Sequence, residues 1–138
     1  MFPGLFTLLP ALRGGNEMKE NRDYGRNVKE DFRFFLFDKN TSLPISIENI
    51  GRTYPHPGYR MERKNSDYFV LEYVVSGKGH LLINDNHFVV QAGDVYCIEP
   101  GYDHVYYADR SDPYEKMWIN FFSDHFRDVM RAYGIHER

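Results

Sequence analysis

Apolar residues alternate with polar ones in short runs from Phe32 onward, and the period stays near two until Ser123. "FRFFLF" (Phe32 to Phe37) is a dense aromatic strand and "SLPISIENIG" (Ser42 to Gly51) contains a second alternating stretch. "YPHPGY" (Tyr54 to Tyr59) reads as loop, because two prolines and a glycine break any ladder. "YFVLEYVVSGKGHLLIND" predicts two strands around the turn at Ser76 to Gly79, and "HFVVQAGDVYCIEP" two more around "QAGD", giving a meander of short strands. "VYYAD" and "KMWINFF" (Lys116 to Phe122) follow, separated by the loop "RSDPYE". Then the period changes: Ser123 can cap a helix in which Phe126, Val129, Met130 and Tyr133 form one apolar stripe, and Gly134 stops it. About eight strands joined by tight turns, with one helix at the end, predict an all-β jelly-roll or barrel; a parallel α/β sheet would need a helix between successive strands.

Composition narrows the class. A chain of 138 residues fits one domain with one core. Its 17% aromatic content, with 11 Tyr, 11 Phe and 1 Trp, suits a β-rich interior or an aromatic-lined cavity. With 17 basic against 20 acidic residues the net charge is −3, so no global positive field draws in phosphate backbones. The single cysteine, Cys97, excludes an internal disulfide, reads as a small buried hydrophobe and fits a cytoplasmic compartment. The start, "MFPGLFTLLPALRGGNE", lacks a basic residue before its apolar run, and Pro3 and Pro10 interrupt it; it reads as an extension ahead of a second start at Met18, not as a secretory leader. No run is long enough for a membrane span. The polar stretch Asn16 to Asp31 reads as an arm, so residues 1–31 are expected to be a flexible extension, 32–122 the barrel and 123–138 the start of a C-terminal helical region.

In a small barrel, positions two apart share a wall, so an inward His104 implies an inward Tyr106. A metal site needs three or four convergent ligands, and His104 lacks them; Glu72 as a shifted ligand brings the set only to two. No metal, other cofactor or catalytic residue is therefore expected. Glu72 lies on the otherwise apolar "YFVLEYVV", where a carboxylate must be paired or wet, and it is also a candidate acceptor for ligand hydroxyls. His56, His80, His87, His125 and His136 share no spacing and read as separate surface residues.

Two resemblances sharpen this. Gly93-Asp94, a strand, Pro100-Gly101 and His104, eleven residues after the glycine, resemble the second signature of the cupin fold, while the first signature's His-x-His and glutamate are replaced by residues such as Lys64, Asn65, Ser66 and Val70. More narrowly, "ERKNSDYFVLEYVVSGKGHLLIND", "GDVYCIEPGYDHVYYAD" and "DPYEKMWINFF" in that order resemble the N-terminal effector-binding and dimerisation domain of AraC-family transcription regulators. The resemblance implies a cupin-like barrel holding a small molecule, a sugar or a related polyol or acid. It also implies pairing into a homodimer through the helices after the barrel. DNA would be bound only through a C-terminal pair of helix-turn-helix units, which one terminal helix cannot supply.

Carried over residue by residue, the resemblance puts Arg63, Tyr106, Lys116 and Trp118 in the pocket, with His104 and Glu72 as further ligand-binding candidates. A guanidinium donates well to hydroxyls, although Arg63 could equally pair with Glu62 or Asp67 at the rim, and Arg60 takes its place if the register shifts. The indole of Trp118 can cover the C–H face of a sugar ring with its N–H free to donate; plain core packing is the alternative. Lys116 differs in type from the polar group that the arabinose-binding relative has there. A stand-alone cupin enzyme on a sugar or small acid, and a filled structural dimer module, remain the competing classes.

Overall fold

The computed structural model describes residues 28–35 and 43–135 of the chain. These form nine strands and one helix: β1 (Glu30–Phe34), β2 (Ser46–Thr53), β3 (Arg60–Arg63), β4 (Phe69–Ser76), β5 (Lys78–Ile83), β6 (Asn86–Gln91), β7 (Val95–Ile98), β8 (His104–Ala108), β9 (Glu115–Phe122) and α1 (Phe126–Ala132). Two sheets face each other, one of five strands in the order β1-β2-β9-β4-β7 and one of four in the order β3-β8-β5-β6, every named pair antiparallel. The all-β class with a terminal helix is as the sequence predicts.

The pairing is nested where a meander was expected. β4 pairs with β7 and β9, while β5 pairs with β6 and β8. The chain changes sheets at Gly77 and again around Gly93, and backbone bonds tie the two corners together: Gly93 N–H to Val74 O and Val74 N–H to Asp94 O, both 2.9 Å. Gly77 has φ of +70°, and a Cβ there would sit 2.5 Å from the Pro113 carbonyl oxygen, so only glycine fits this corner. Between β5 and β6 the two-residue loop Asn84-Asp85 has φ of 47° and 66°, the left-handed pair that closes a tight hairpin.

The alternation of each strand decides what lies between the sheets. Val70, Val74, Leu81, Val90, Ile98, Tyr106, Ala108 and Tyr114 are buried there, each aliphatic side chain contributing roughly 1.5–3 kcal/mol of transfer free energy. The first strand starts at Glu30, earlier than the aromatic run suggested. Val28, Glu30 and Phe32 are all buried at one edge of the five-stranded sheet, so this part of the expected arm belongs to the barrel. Residues 16–27 of that segment, and Leu36 and Phe37 of the expected strand, lie outside the described residues. β3 was not expected, because "RMER" carries one apolar residue; Met61 and Arg63 are its half-buried positions.

The helix starts later than Ser123. His125 is its N-cap with no side-chain bond, while Ser123 Oγ accepts the N–H of Phe126 at 3.1 Å from outside the helix. Gly134, at φ of +70°, ends it with Ile135 N–H on Met130 O and Gly134 N–H on Arg131 O. The stripe packs only in part. Phe126 stands edge-on to Phe69 and Phe121 at 5.2 and 4.9 Å, but Val129 is exposed and Tyr133 is 81% exposed.

Candidate functional site

β2 and β9 lie side by side, with Gly51 opposite Trp118 and Thr53 opposite Lys116. β1 adds Phe32 opposite Gly51 and Glu30 opposite Thr53, and β3 and β8 face them with Arg63 opposite His104 and Met61 opposite Tyr106. Between these strands lies a cavity of about 190 Å³, whose lining includes Glu30, Phe32, Asn49, Met61, Arg63, Tyr68, Tyr106, Trp118 and Asn120. Arg63, Tyr106 and Trp118 are thus brought together on one wall-to-wall lining, and Arg60, which pairs with Glu62 at 3.0 Å, is at the surface.

Glu72, His104 and Lys116 do not line the cavity; they form the layer behind it. Lys116 Nζ donates to both oxygens of Glu72 at 2.9 and 2.7 Å, and the hydroxyl of Tyr96 also donates to Glu72. The pair is 0% and 1% exposed. The ammonium stands 3.7 Å from the centroid of Tyr106, 5.1 Å from Tyr59 and 5.2 Å from Tyr114, an aromatic box that favours a cation. Burial lowers the pKa of Lys116, opposed by the Glu72 carboxylate. Glu72 is therefore paired, the first of the two options that an apolar strand allows a carboxylate.

His104 is 2% exposed and stacks on Tyr106 with ring centroids 5.7 Å apart, so the two do share an inward wall. Burial lowers its pKa, and with a carbonyl, Tyr102 O, 3.2 Å from Nδ1, the neutral ring carries its proton on Nδ1 and leaves Nε2 as an acceptor.

Trp118 departs from expectation in one respect. Its Nε1–H is not free: it donates to Thr53 Oγ1 at 3.1 Å, and Thr53 in turn donates to Glu30 Oε1 at 2.6 Å. Desolvation raises the pKa of Glu30 above 4.5, with the Thr53 bond acting against it. On the same lining, Asn120 Nδ2 donates to Asn49 Oδ1 at 2.7 Å and Asn49 Nδ2 to Glu48 Oε2 at 3.1 Å, an amide relay that orients Asn120. Two lining atoms are buried and without a hydrogen-bond partner among the described residues: Arg63 Nη1, a donor, and Asn120 Oδ1, an acceptor. Such atoms are uncommon in folded proteins and mark places where a further polar group fits.

Glu30, Thr53, Asn49 and Asn120 escaped the sequence reading. The signal for Glu30 was its parity with Phe32 and Phe34, hidden by the charges of "VKED"; Asn49 and Asn120 lie on different strands whose pairing no local pattern reveals. His80 and His87, read as unrelated, meet across the β5–β6 hairpin at 3.1 Å, with His80 also 3.1 Å from Asp109. Among the described residues no three His, Cys, Asp or Glu side chains are grouped to hold a metal ion.

A larger hollow, about 660 Å³, runs between α1 and the strands β4 and β7, lined by Leu71, Phe88, Cys97, Phe126 and Met130 among others. It is mostly apolar, and burial there pushes the Cys97 thiol up to about 12. A hydroxyl-rich ligand would find few partners in it. The smaller, polar cavity is the better candidate despite its size.

The fold defines the class first. Similar solved structures include a Cupin 2 conserved barrel domain protein from Salinispora arenicola (TM-score 0.52, 16% identity, 83% of this chain and 90% of that one). A predicted oxalate decarboxylase from Thermotoga maritima is another (TM-score 0.53, 18% identity, 78% and 94%). The barrel is of the cupin type. Residues 48–138 match the family described as the AraC-like ligand binding domain, and the chain belongs to it: this is the ligand-binding domain of an AraC-type regulator, from a family of regulator domains and not of enzymes. Two regulators are similar in sequence. The Msm operon regulatory protein of Streptococcus mutans is 26% identical over 112 residues, which are 81% of this chain and 38% of that protein. The raffinose operon transcriptional regulatory protein RafR of Pediococcus pentosaceus is 30% identical over 84 residues, 59% and 30% respectively. The chain spans about a third of the length of these relatives. No helix among the described residues is long and apolar enough to cross a membrane.

Proposed function

We propose that the chain senses a small neutral sugar, or one ring of a larger one, in the cavity behind Trp118, and that occupancy biases the regulator in the cytoplasm. The observation that carries this reading is the pair of unpartnered buried atoms, Arg63 Nη1 and Asn120 Oδ1, on a lining that also offers the Trp118 indole. A hydroxyl is donor and acceptor at once and satisfies both kinds of atom; the C–H face of a ring suits the indole. The relatives' names, one of them a raffinose operon regulator, point the same way.

Charge favours a neutral ligand over a sugar acid. Lys116 is spent on Glu72, so Arg63 alone offers a positive charge on a lining that also contains Glu30 and Glu48. Size limits what is enclosed. A cavity of about 190 Å³ lies below the roughly 300 Å³ at which drug-sized pockets begin, so an oligosaccharide would insert one ring and leave the rest at the mouth. Arg63, Tyr106 and Trp118 are the contacting residues of the six sequence candidates; Glu72, His104 and Lys116 hold the wall behind them. Homodimerisation, and DNA binding through a separate domain, complete the reading. A ligand acts there only by binding one arrangement better than another.

Thermal-shift screening of monosaccharides, raffinose-type oligosaccharides and sugar acids tests this. At least one neutral sugar raises the melting point by mass action, and the acids do not. A panel in which only anionic sugars stabilise the chain contradicts the reading.

A further inference from the structure

Trp118 is held by more than its own strand. Gly51 lies directly opposite it, and a Cβ at Gly51 would overlap Trp118 Cζ2 while standing 2.7 Å from Phe32 Cβ and 2.8 Å from Asp31 O. The indole plane therefore occupies the space above a residue that must lack a side chain. Two residues along the strand, Thr53 accepts the indole N–H at 3.1 Å and donates its own hydroxyl to Glu30 at 2.6 Å. Because the only hydroxyl proton of Thr53 goes to Glu30, its oxygen is left as the acceptor that the indole needs. Glu30 is 4% exposed and Thr53 0%, so solvent competes little for either bond.

We propose that Gly51, Thr53 and Glu30 are positioning residues that fix the Trp118 indole as a platform presenting only its face, and so make the site selective for rings with an apolar C–H face. Gly51 admits the ring, Thr53 consumes its N–H and Glu30 sets the direction of the Thr53 hydroxyl. The indole offers a ligand no hydrogen bond, and the polar part of recognition falls to Arg63 and Asn120. This rests on the sugar-sensing reading for the ligand, but the anchoring of the indole does not. Glu30 also brings the chain's first described strand into contact with the ligand wall, tying β1 to the platform.

Trp118 is the only tryptophan in the chain, so the 15N-labelled full chain gives one indole N–H resonance, readable without ligand. In the wild type this proton exchanges slowly with solvent. Thr53→Val, which keeps the shape and removes the hydroxyl, speeds exchange about tenfold or more, Thr53→Ser restores it, and Glu30→Gln, which keeps an acceptor, changes it least. Gly51→Ala moves the resonance furthest; if that variant does not fold, Thr53→Val and Thr53→Ser decide alone. Titration with raffinose then gives an affinity about tenfold weaker for Thr53→Val than for wild type. An indole proton that exchanges equally fast in wild type and Thr53→Val overturns the proposal. So does raffinose binding equally well to both, which would leave the sugar reading intact. Slow, Thr53-dependent exchange in a wild type that ignores raffinose and every other neutral sugar supports the anchoring and removes the sugar reading instead.

Discussion

The two halves of the barrel interior differ in what their polar groups face. Behind Tyr106, the Glu72 carboxylate is bonded by Lys116 and Tyr96, and the Lys116 ammonium also sits among three tyrosine rings. In front of Tyr106, Arg63 Nη1 and Asn120 Oδ1 face a cavity with no partner among the described residues. The same strands supply both halves, since Lys116, Trp118 and Asn120 are alternate residues of β9. What separates them is the cavity: behind Tyr106 the ion pair is closed, and His104 Nε2 and the Tyr114 hydroxyl, though also without a partner among the described residues, do not line the cavity, whereas Arg63 and Asn120 do. Charge inside a β-barrel thus does not by itself mark the binding site; unmet hydrogen-bonding capacity beside a cavity does.

The sharpest way to break this contrast is at Lys116. Lys116→Met leaves the Glu72 carboxylate buried with no counter-charge, only the Tyr96 hydroxyl still bonded to it, and costs about 3–5 kcal/mol in urea unfolding, whereas Lys116→Met with Glu72→Leu recovers most of the loss. A cost for the single variant below about 1 kcal/mol would mean that the pair is not closed as described. Arg63→Leu is the counterpart on the cavity side. It weakens binding of a neutral sugar by about ten- to a hundredfold in calorimetric titration while costing the fold less than about 1 kcal/mol, since Nη1 has no protein partner and only the contacts of the guanidinium with the Tyr68 and Tyr106 rings are lost.

Smaller effects come from Glu30 on the cavity side and His104 in the wall. Glu30 has its pKa raised, so its folded form favours the proton: its contribution to stability is fully present below the ordinary value of 4.5 and is lost as pH climbs through the raised value. Glu30→Gln therefore raises the unfolding midpoint at pH 7, and the gain vanishes by pH 4. His104 has the opposite sign. Its pKa is lowered from 6.5, so its contribution is present above that value and fades as pH falls through the lowered one. In the Glu30→Gln variant, stability declines below about pH 6.5, and the further change His104→Gln flattens that decline.

Much of the fold was legible because burial here follows the period of two. β5 and β8 bury alternate positions, and so does β4 from Val70 onward, although its inward set includes Glu72 while Tyr73 is exposed; the glycine that ends α1 is where the apolar stripe ends. Sheet order was not legible. Nothing in "VVSGKG" distinguishes a hairpin turn from a corner between sheets, since Gly77 with a positive φ serves either; Pro113, which leaves no room for a side chain there, comes from a distant segment. The site was half legible. Arg63, Tyr106 and Trp118 were placed in the pocket by resemblance, and Lys116 and Glu72 were correctly read as inward but not as partners, because they are 44 residues apart. Asn49 and Asn120, 71 apart, could not be seen as a pair at all, and Glu30 was masked by charged neighbours.

The central claim is that the polar cavity receives the ligand while the ion pair behind it stays shut. A crystal structure of the chain with the neutral sugar that most raises its melting point tests this most directly. The account predicts a ring lying on the Trp118 face, hydroxyls bonded to Arg63 Nη1 and Asn120 Oδ1, and Lys116 still on Glu72. A sugar bound in the apolar groove beside α1, or one that reaches in and separates Lys116 from Glu72, would contradict it.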